Sequence, residues 1–160
     1  KLGCNVLLAG QGADELFGGY QRYLKEYEQS GVEAVQKAMY RDVAMSYEKN
    51  FQRDNQACSF HKVELRLPFV DRDVVQFSLS LPPSLKIESP EDRLRKRVLR
   101  QVAQNLGMPL FIVNKTKKAV QYATGVSKAI QRLARKEGLT SREYVEKVFR
   151  KMYPALEVSK

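Results

Sequence analysis

At 160 residues with 43% hydrophobic side chains, the chain is long enough for one packed core, and no run of about 18 apolar residues offers a membrane span. Its formal net charge of +10, from 28 Lys and Arg against 18 Asp and Glu, suits an anionic ligand or partner without choosing between nucleic acid, nucleotide and an acidic protein surface. Cys4 and Cys58 form neither a metal-ligand spacing nor a disulfide framework, and no signal-peptide pattern begins at Lys1, so a reduced, cytoplasmic setting is expected.

The first predicted element is a short buried strand, Asn5-Val6-Leu7-Leu8-Ala9, and it runs into Gly10-Gln11-Gly12-Ala13-Asp14-Glu15. Gly10 and Gly12 allow a sharp turn and let a ligand approach backbone N–H groups, and a helix starting just afterwards favours an anion. Asp14 and Glu15 put carboxylates beside that turn. Carboxylates next to a phosphate site point to Mg²⁺, which keeps several waters and takes one or two protein carboxylates plus phosphate oxygens. The expected ligand is a magnesium nucleotide or pyrophosphate. Glycines also end strands and acids also cap helices, so the turn alone leaves a purely structural role open.

Residues 20–30 predict a helix ended by Gly31, and Val32, Val35, Met39, Val43 and Tyr47 space an apolar stripe along a second, longer one. Helical periodicity weakens from Arg53 to Ser59. Residues 64–71 then read as an extended or turning segment around Pro68, and Asp71 as the N-cap of a helix through Val74, Val75 and Ser78 that Pro82 and Pro83 stop. From Pro90 a helix is expected with Leu94, Val98, Leu99, Val102 and Leu106 on one face and Arg93, Lys96, Arg97 and Arg100 on the other, ending at Gly107 and Pro109. That basic face is either an RNA contact or a solvated or ion-paired surface, and the lack of interleaved aromatics favours the second. Lys115-Thr116-Lys117-Lys118 is a lysine-rich loop able to carry an ammonium to phosphate oxygens. Beyond Gly125, Val126, Ala129, Ile130 and Leu133 form one helical stripe, and Thr140 with Glu143 forms a capping box before Val145, Val148, Phe149 and Met152.

The string from Gly10 to Tyr20 resembles the second signature of the asparagine synthetase family, a Gly-acid-Gly-(Ser/Ala)-Asp-Glu-x-x-x-Gly-Tyr segment of its ATP pyrophosphatase domain. Val63-Glu64-Leu65-Arg66-Leu67-Pro68-Phe69-Val70-Asp71 is similar to the family's Glu-x-Arg-x-Pro-Phe-Leu-Asp block, and Arg97-Val98-Leu99-Arg100 to its Ile-Leu-Arg segment. Lys115-Thr116-Lys117-Lys118-Ala119-Val120-Gln121-Tyr122 looks like the motif that carries the family's catalytic lysine, in a form closest to the asparagine synthetase domain-containing branch. The resemblance covers roughly residues 5–130.

It implies a mainly α chain whose one or two short strands belong to an incomplete α/β nucleotide-binding domain of the adenine nucleotide alpha hydrolase-like kind. Residues 5–20 would supply the strand and nucleotide turn and residues 21–160 a helical remainder. The implied activity is an ATP-dependent, amide-forming ligase: acyl-adenylate formation, then attack by ammonia. Gly10, Gly12, Asp14 and Glu15 would bind the nucleotide, Asp14 would hold Mg²⁺, Lys117 would stabilise the departing pyrophosphate with Lys118 as the alternative, and Gln11 would orient. Partners implied are ATP and a carboxylate, with aspartate as the candidate. Nucleic acid and membrane are not expected.

Two departures from the family pattern carry consequences. The chain holds no Ser-Gly-Gly-x-Asp-Ser loop and no glutaminase domain, so residues 1–160 are expected to be the C-terminal portion of a longer protein, inactive alone and completed by an N-terminal portion or a partner chain. A homo-oligomer is a further alternative. Secondly, the family's glutamate between the two glycines is Gln11 here, which hydrogen-bonds but takes up no proton at neutral pH; Glu64 is a candidate to replace the lost carboxylate. A noncatalytic interaction module and an RNA-associated adenylating protein stay open as other classes.

Overall fold

Val6–Leu8 forms strand β1 and pairs in parallel with β2, Glu64–Arg66, in the register Val6↔Glu64, Leu7↔Leu65 and Leu8↔Arg66. The Glu64 N–H donates to the Asn5 carbonyl at 2.8 Å and the Ala9 N–H to the Arg66 carbonyl at 3.0 Å, extending the ladder at both ends. A parallel pair needs a long crossover. Here it consists of α1 (Ala13–Phe17), α2 (Gln21–Ser46), a π-helical turn at Tyr47–Phe51 and α3 (Gln52–Phe60). The computed structural model describes residues 3–116 and 124–153, which fall into two units, Lys1–Lys117 and Lys118–Lys160.

Among the described residues the sheet has these two strands, so the chain is mainly α with a partial α/β element. The strand run was expected to be buried, yet Val6, Leu7 and Leu8 are 41%, 48% and 68% exposed. Parallel strands are apolar on both faces because they normally sit inside a wider, covered sheet. Two strands cover neither face of β1.

Helix α2 breaks where the sequence places a stop. Gly31 sits at φ 80°, ψ 179°, outside helical geometry. Arg22 and Asp42 nevertheless meet at 2.6 Å across the break, whereas 20 residues of straight helix would hold them about 30 Å apart. The two limbs therefore fold back on each other. Tyr23 from the first limb and Val35, Ala38 and Met39 from the second share a core with Ile87, flanked by Tyr20, Leu24 and Tyr27. Asp42 also accepts from the Tyr23 hydroxyl at 2.6 Å, giving the buried phenol its partner. Within the predicted stripe Val35 and Met39 are buried, whereas Val32, next to the break at Gly31, and Tyr47, where the π-helical turn at Tyr47–Phe51 shifts the helical phase, are exposed.

Helix α3 occupies the stretch where periodicity fades, and none of its residues is buried. After β2, Pro68–Val70 makes a 3-10 turn and Asp71 caps α4 (Arg72–Ser80), its Oδ1 accepting from the Asp73 N–H at 2.9 Å. A second 3-10 turn, Pro83–Leu85, delivers Ile87 to the core. Gly18, at φ 74°, lies against it: an added Cβ would stand 2.7 Å from Ile87 Cγ1. Gly18→Ala is expected to cost about 3 kcal/mol, combining the left-handed backbone penalty with overpacking. Urea denaturation checks this, and an unchanged midpoint would count against the packing described.

The helix expected from Pro90 begins instead at Arg97, as α5 (Arg97–Asn105). Asp92 Oδ1 accepts from the N–H groups of Leu94 and Arg95 at 3.0 and 2.9 Å, a local arrangement that competes with helix formation. Arg100 is not on a solvated face. Its guanidinium donates to the carbonyls of Leu94, Arg95, Val113 and Lys115, tying α5 to the residues around α6 (Leu110–Val113). Arg100→Lys keeps the charge and loses the fork, and should destabilise by about 2 kcal/mol; a thermal melt equal to that of the parent would contradict the tie.

In the second unit, α7 (Val126–Lys136) starts after Gly125 at φ 76°, and α8 (Ser141–Met152) carries the predicted capping box. Thr140 Oγ1 accepts from the Glu143 N–H at 3.3 Å, and Glu143 Oε2 from the Thr140 N–H at 2.7 Å. Among the described residues no helix is long and apolar enough to cross a membrane.

Candidate functional site

The glycine turn lies just past the C-terminal end of β1, and the Pro68–Val70 turn just past the same end of β2. In open α/β sheets that edge is where ligands bind. The two turns pack together. A Cβ on Gly12 would stand 3.0 Å from Val70 Cγ2 and in ordinary contact, 3.7 Å, with Phe51 and Phe69, so a side chain there would press on Val70, and the φ of 85° favours glycine as well. Gly10 approaches the Phe69 ring, and Phe69 meets Phe17 edge-on at 6.0 Å between centroids. Beside the turn runs a groove lined by Leu8, Tyr47, Phe51, Asn55, Pro68 and Asp71.

The two acids next to the turn point to different surroundings. Both belong to the first turn of α1, whose five residues are too few for its dipole to add much for an anion. Asp14 Oδ1 lies 2.7 Å from Lys96 Nζ, each side chain about a quarter exposed. The pair rests on the Gly19 backbone, since a Cβ on Gly19 would overlap both Asp14 Oδ1 and Lys96 Cε. Lys96 reaches it from a strained approach: Arg95 and Lys96 both have positive φ, 54° and 52°, a conformation that costs non-glycine residues about 1–2 kcal/mol each. Asp92 holds Arg95 by its N–H, and the Lys86 carbonyl accepts from the Arg97 N–H at 3.0 Å, which fixes the bend on both sides.

Glu15 turns inward and is 4% exposed. Its Oε1 accepts from the Tyr20 hydroxyl at 2.6 Å and from Asn50 Nδ2 at 3.3 Å, linking α1 to the start of α2 and to the π-helical turn. Burial, then the Glu15 carboxylate, pushes the Tyr20 phenol above its ordinary value.

Gln11 faces a carboxylate that the sequence did not single out. Its Nε2 donates to Asp54 Oδ2, while Arg53 Nε donates to Asp54 Oδ1 at 2.7 Å. The Arg53 guanidinium holds the Asp54 carboxyl below the usual range; partial burial opposes this and the Gln11 N–H adds to it. Gln11 Oε1 is buried without a hydrogen-bond partner among the described residues. Glu64, the sequence candidate for a replacement carboxylate, is instead exposed on β2 and paired with Arg66 at 2.8 Å. Asp54 offered little signal: it sits 43 residues from Gln11, in the segment where helical periodicity was weakest.

Lys117 and its alternative Lys118 lie outside the described residues. Of the basic residues expected on the α5 face, Arg97 pairs with Glu88, Lys96 with Asp14, and Arg100 with main-chain carbonyls. Lys86 is 3% exposed, and burial pushes its amine down to about 8.

Asp14, paired with Lys96, is the carboxylate that would meet a cation beside the turn; no cluster of three or more His, Cys, Asp or Glu side chains suited to a metal occurs among the described residues. Mg²⁺ bound mainly through water and phosphate oxygens needs one or two carboxylates, so the donor set fits that ion and no all-protein cage.

Comparison with known proteins gives consistent matches. The family model described as asparagine synthase matches residues 1–33 and 26–157. A Methanocaldococcus jannaschii protein named as a glutamine-hydrolysing asparagine synthetase is 34% identical over 182 aligned residues, covering 94% of this chain and 34% of that protein. Asparagine synthetase domain-containing protein 1 of Mus musculus is 32% identical across 80% of this chain and 21% of its own length. The glutamine-hydrolysing asparagine synthetase 1 of Arabidopsis thaliana is 31% identical across 79% of this chain and 21% of its own. The chain thus spans between about a fifth and a third of the curated relatives it matches.

Proposed function

The chain belongs to the asparagine synthase family, and on that premise we propose that it supplies the glycine-turn half of an ATP-dependent, amide-forming ligase. A Ser-Gly-Gly-x-Asp-Ser loop and a glutaminase domain would come from residues outside this chain. The observation that carries the reading is the turn itself, with Gly10 and Gly12 closed over Val70, Phe51 and Phe69 at the C-terminal edge of two parallel strands and Asp14 beside it.

The reaction has two steps. A carboxylate oxygen of the substrate attacks the α-phosphorus of ATP, and pyrophosphate leaves with the P–O electron pair. Ammonia then attacks the acyl carbon, the C–O bond to the α-phosphate breaks, and AMP leaves. The proton shed by nitrogen passes to water. Gly10 leaves exposed backbone for the phosphates, and Gly12 lets the turn close against Val70. Asp14 would hold Mg²⁺, which when bound would neutralise phosphate charge. Glu15, fixed between Tyr20 and Asn50, sets the position of α1 and thereby of Asp14. Lys117, or Lys118, brings an ammonium to the departing pyrophosphate. Gln11 orients and takes no proton, and aspartate is the candidate carboxylate.

Calorimetric titration of Mg-ATP into the full-length protein tests the first requirement. Saturable binding, weakened in the absence of Mg²⁺, is expected. No heat up to millimolar nucleotide would leave the noncatalytic module as the function.

A further inference from the structure

We propose that Asp54 is a positioning residue for the nitrogen-transfer step: by holding Gln11 Nε2 it commits Gln11 Oε1 to face the incoming ammonia as a hydrogen-bond acceptor. The proposal rests on the ligase reading above.

The orientation of the carboxamide is dictated by chemistry. An ionised carboxylate only accepts, so the amide end that meets Asp54 must be the NH₂. Arg53 on the other carboxylate oxygen, at 2.7 Å, secures that charge. Oε1 and Nε2 diverge from one planar carbon, which delivers Oε1 away from Asp54. It ends buried and unpartnered among the described residues. A buried acceptor without a donor is costly to keep and marks a place where a ligand or water completes the arrangement.

That completion suits ammonia in one orientation only. Its lone pair must reach the acyl carbon, so it can offer the wall of the site nothing but an N–H. A carbonyl oxygen accepts that N–H and leaves the lone pair aimed at carbon. The flipped carboxamide would donate an N–H to the lone pair and quench the nucleophile. Asp54 excludes the flip. Position 11 and Asp54 together carry one negative charge, the same count as a glutamate at position 11 alone, moved one hydrogen bond away.

The pair predicts an outcome for Gln11→Glu that neither residue predicts by itself. Introduced alone, the glutamate confronts Asp54 with a second carboxylate, so amide formation with ammonia should fall at least tenfold. Combined with Asp54→Asn, the asparagine carboxamide donates to the introduced carboxylate and activity should recover at least tenfold over the single Gln11→Glu variant. Asp54→Asn by itself should raise the KM for ammonia about tenfold while Mg-ATP affinity, read by calorimetry, stays within twofold. An unchanged ammonia KM in Asp54→Asn, or a double variant no better than Gln11→Glu, overturns the proposal. Wild-type protein that binds Mg-ATP and forms no amide removes the ligase reading itself and this proposal with it; wild-type activity with an unaltered KM in Asp54→Asn removes this proposal alone.

Discussion

Replacing Asp14 with asparagine in the full-length protein is expected to lower amide formation about a thousandfold, the scale seen when one preorganised electrostatic group is removed from a transition state. The substitution preserves shape, and the Lys96–Asp14 pair it breaks is partly exposed, so the loss of fold stability should stay near 1 kcal/mol. Mg-ATP affinity should fall with kcat because the same carboxylate serves both. Steady-state kinetics alongside a thermal melt separate the two effects. A variant with full activity would remove Asp14 from the metal site; a variant that unfolds would make the Lys96 contact structural instead.

The second large effect concerns Lys86, whose amine is buried beside the core residue Ile87 and lies at about 8 in the folded chain. The unfolded value is about 10.4. Folding therefore disfavours the ammonium, and the sign follows from linkage. Above about pH 10.4 the amine is neutral in both states and folding is not opposed. As the pH falls from about 10.4 to 8 the unfolded state takes up a proton that the folded state lacks, so the penalty grows across that window; below 8 the folded state buries the charge, and the full penalty, about 3 kcal/mol for a shift of this size, is present by pH 7. Lys86→Met removes it. Urea denaturation should show the variant about 2–3 kcal/mol more stable than the parent at pH 7, with the difference shrinking toward pH 10. A variant of equal or lower stability at pH 7 would mean that the ammonium is satisfied where it lies.

What could be read from the sequence was local chemistry. The Asp71 cap and the Thr140–Glu143 capping box depend on residues two or three positions apart, and both formed as the spacing required. Gly31 breaks α2 because glycine alone tolerates its backbone angles without cost. The same locality explains the misplaced helix start: the apolar spacing that runs through α5 begins at Leu94, but Asp92 captures two backbone N–H groups, and Arg95 and Lys96 turn left-handed before α5 begins.

The candidate site was legible in its backbone and obscure in its side-chain pairings. Gly10 and Gly12 announced a tight turn, and the structure adds that Val70 crowds the space a Cβ would need at position 12. Asp14 and Glu15 looked equivalent in the sequence. They diverge because adjacent helical positions face about 100° apart, one toward Lys96 and the other toward Tyr20 and Asn50. The partners of Gln11 and Asp14 arrive from α3 and from the bend before α5, and no periodicity or spacing in one sequence encodes such distant contacts.

If the turn serves carboxylate activation through an adenylate, as proposed above, an oxygen of the carboxylate passes to AMP. The full-length protein would be given aspartate labelled with ¹⁸O in its side-chain carboxylate, together with Mg-ATP and ammonia, and the nucleotide product analysed by mass spectrometry. One labelled oxygen per AMP, matched by amide formed and lost in Asp14→Asn, is the predicted result. Label appearing in inorganic phosphate, or amide forming with unlabelled AMP, would contradict it.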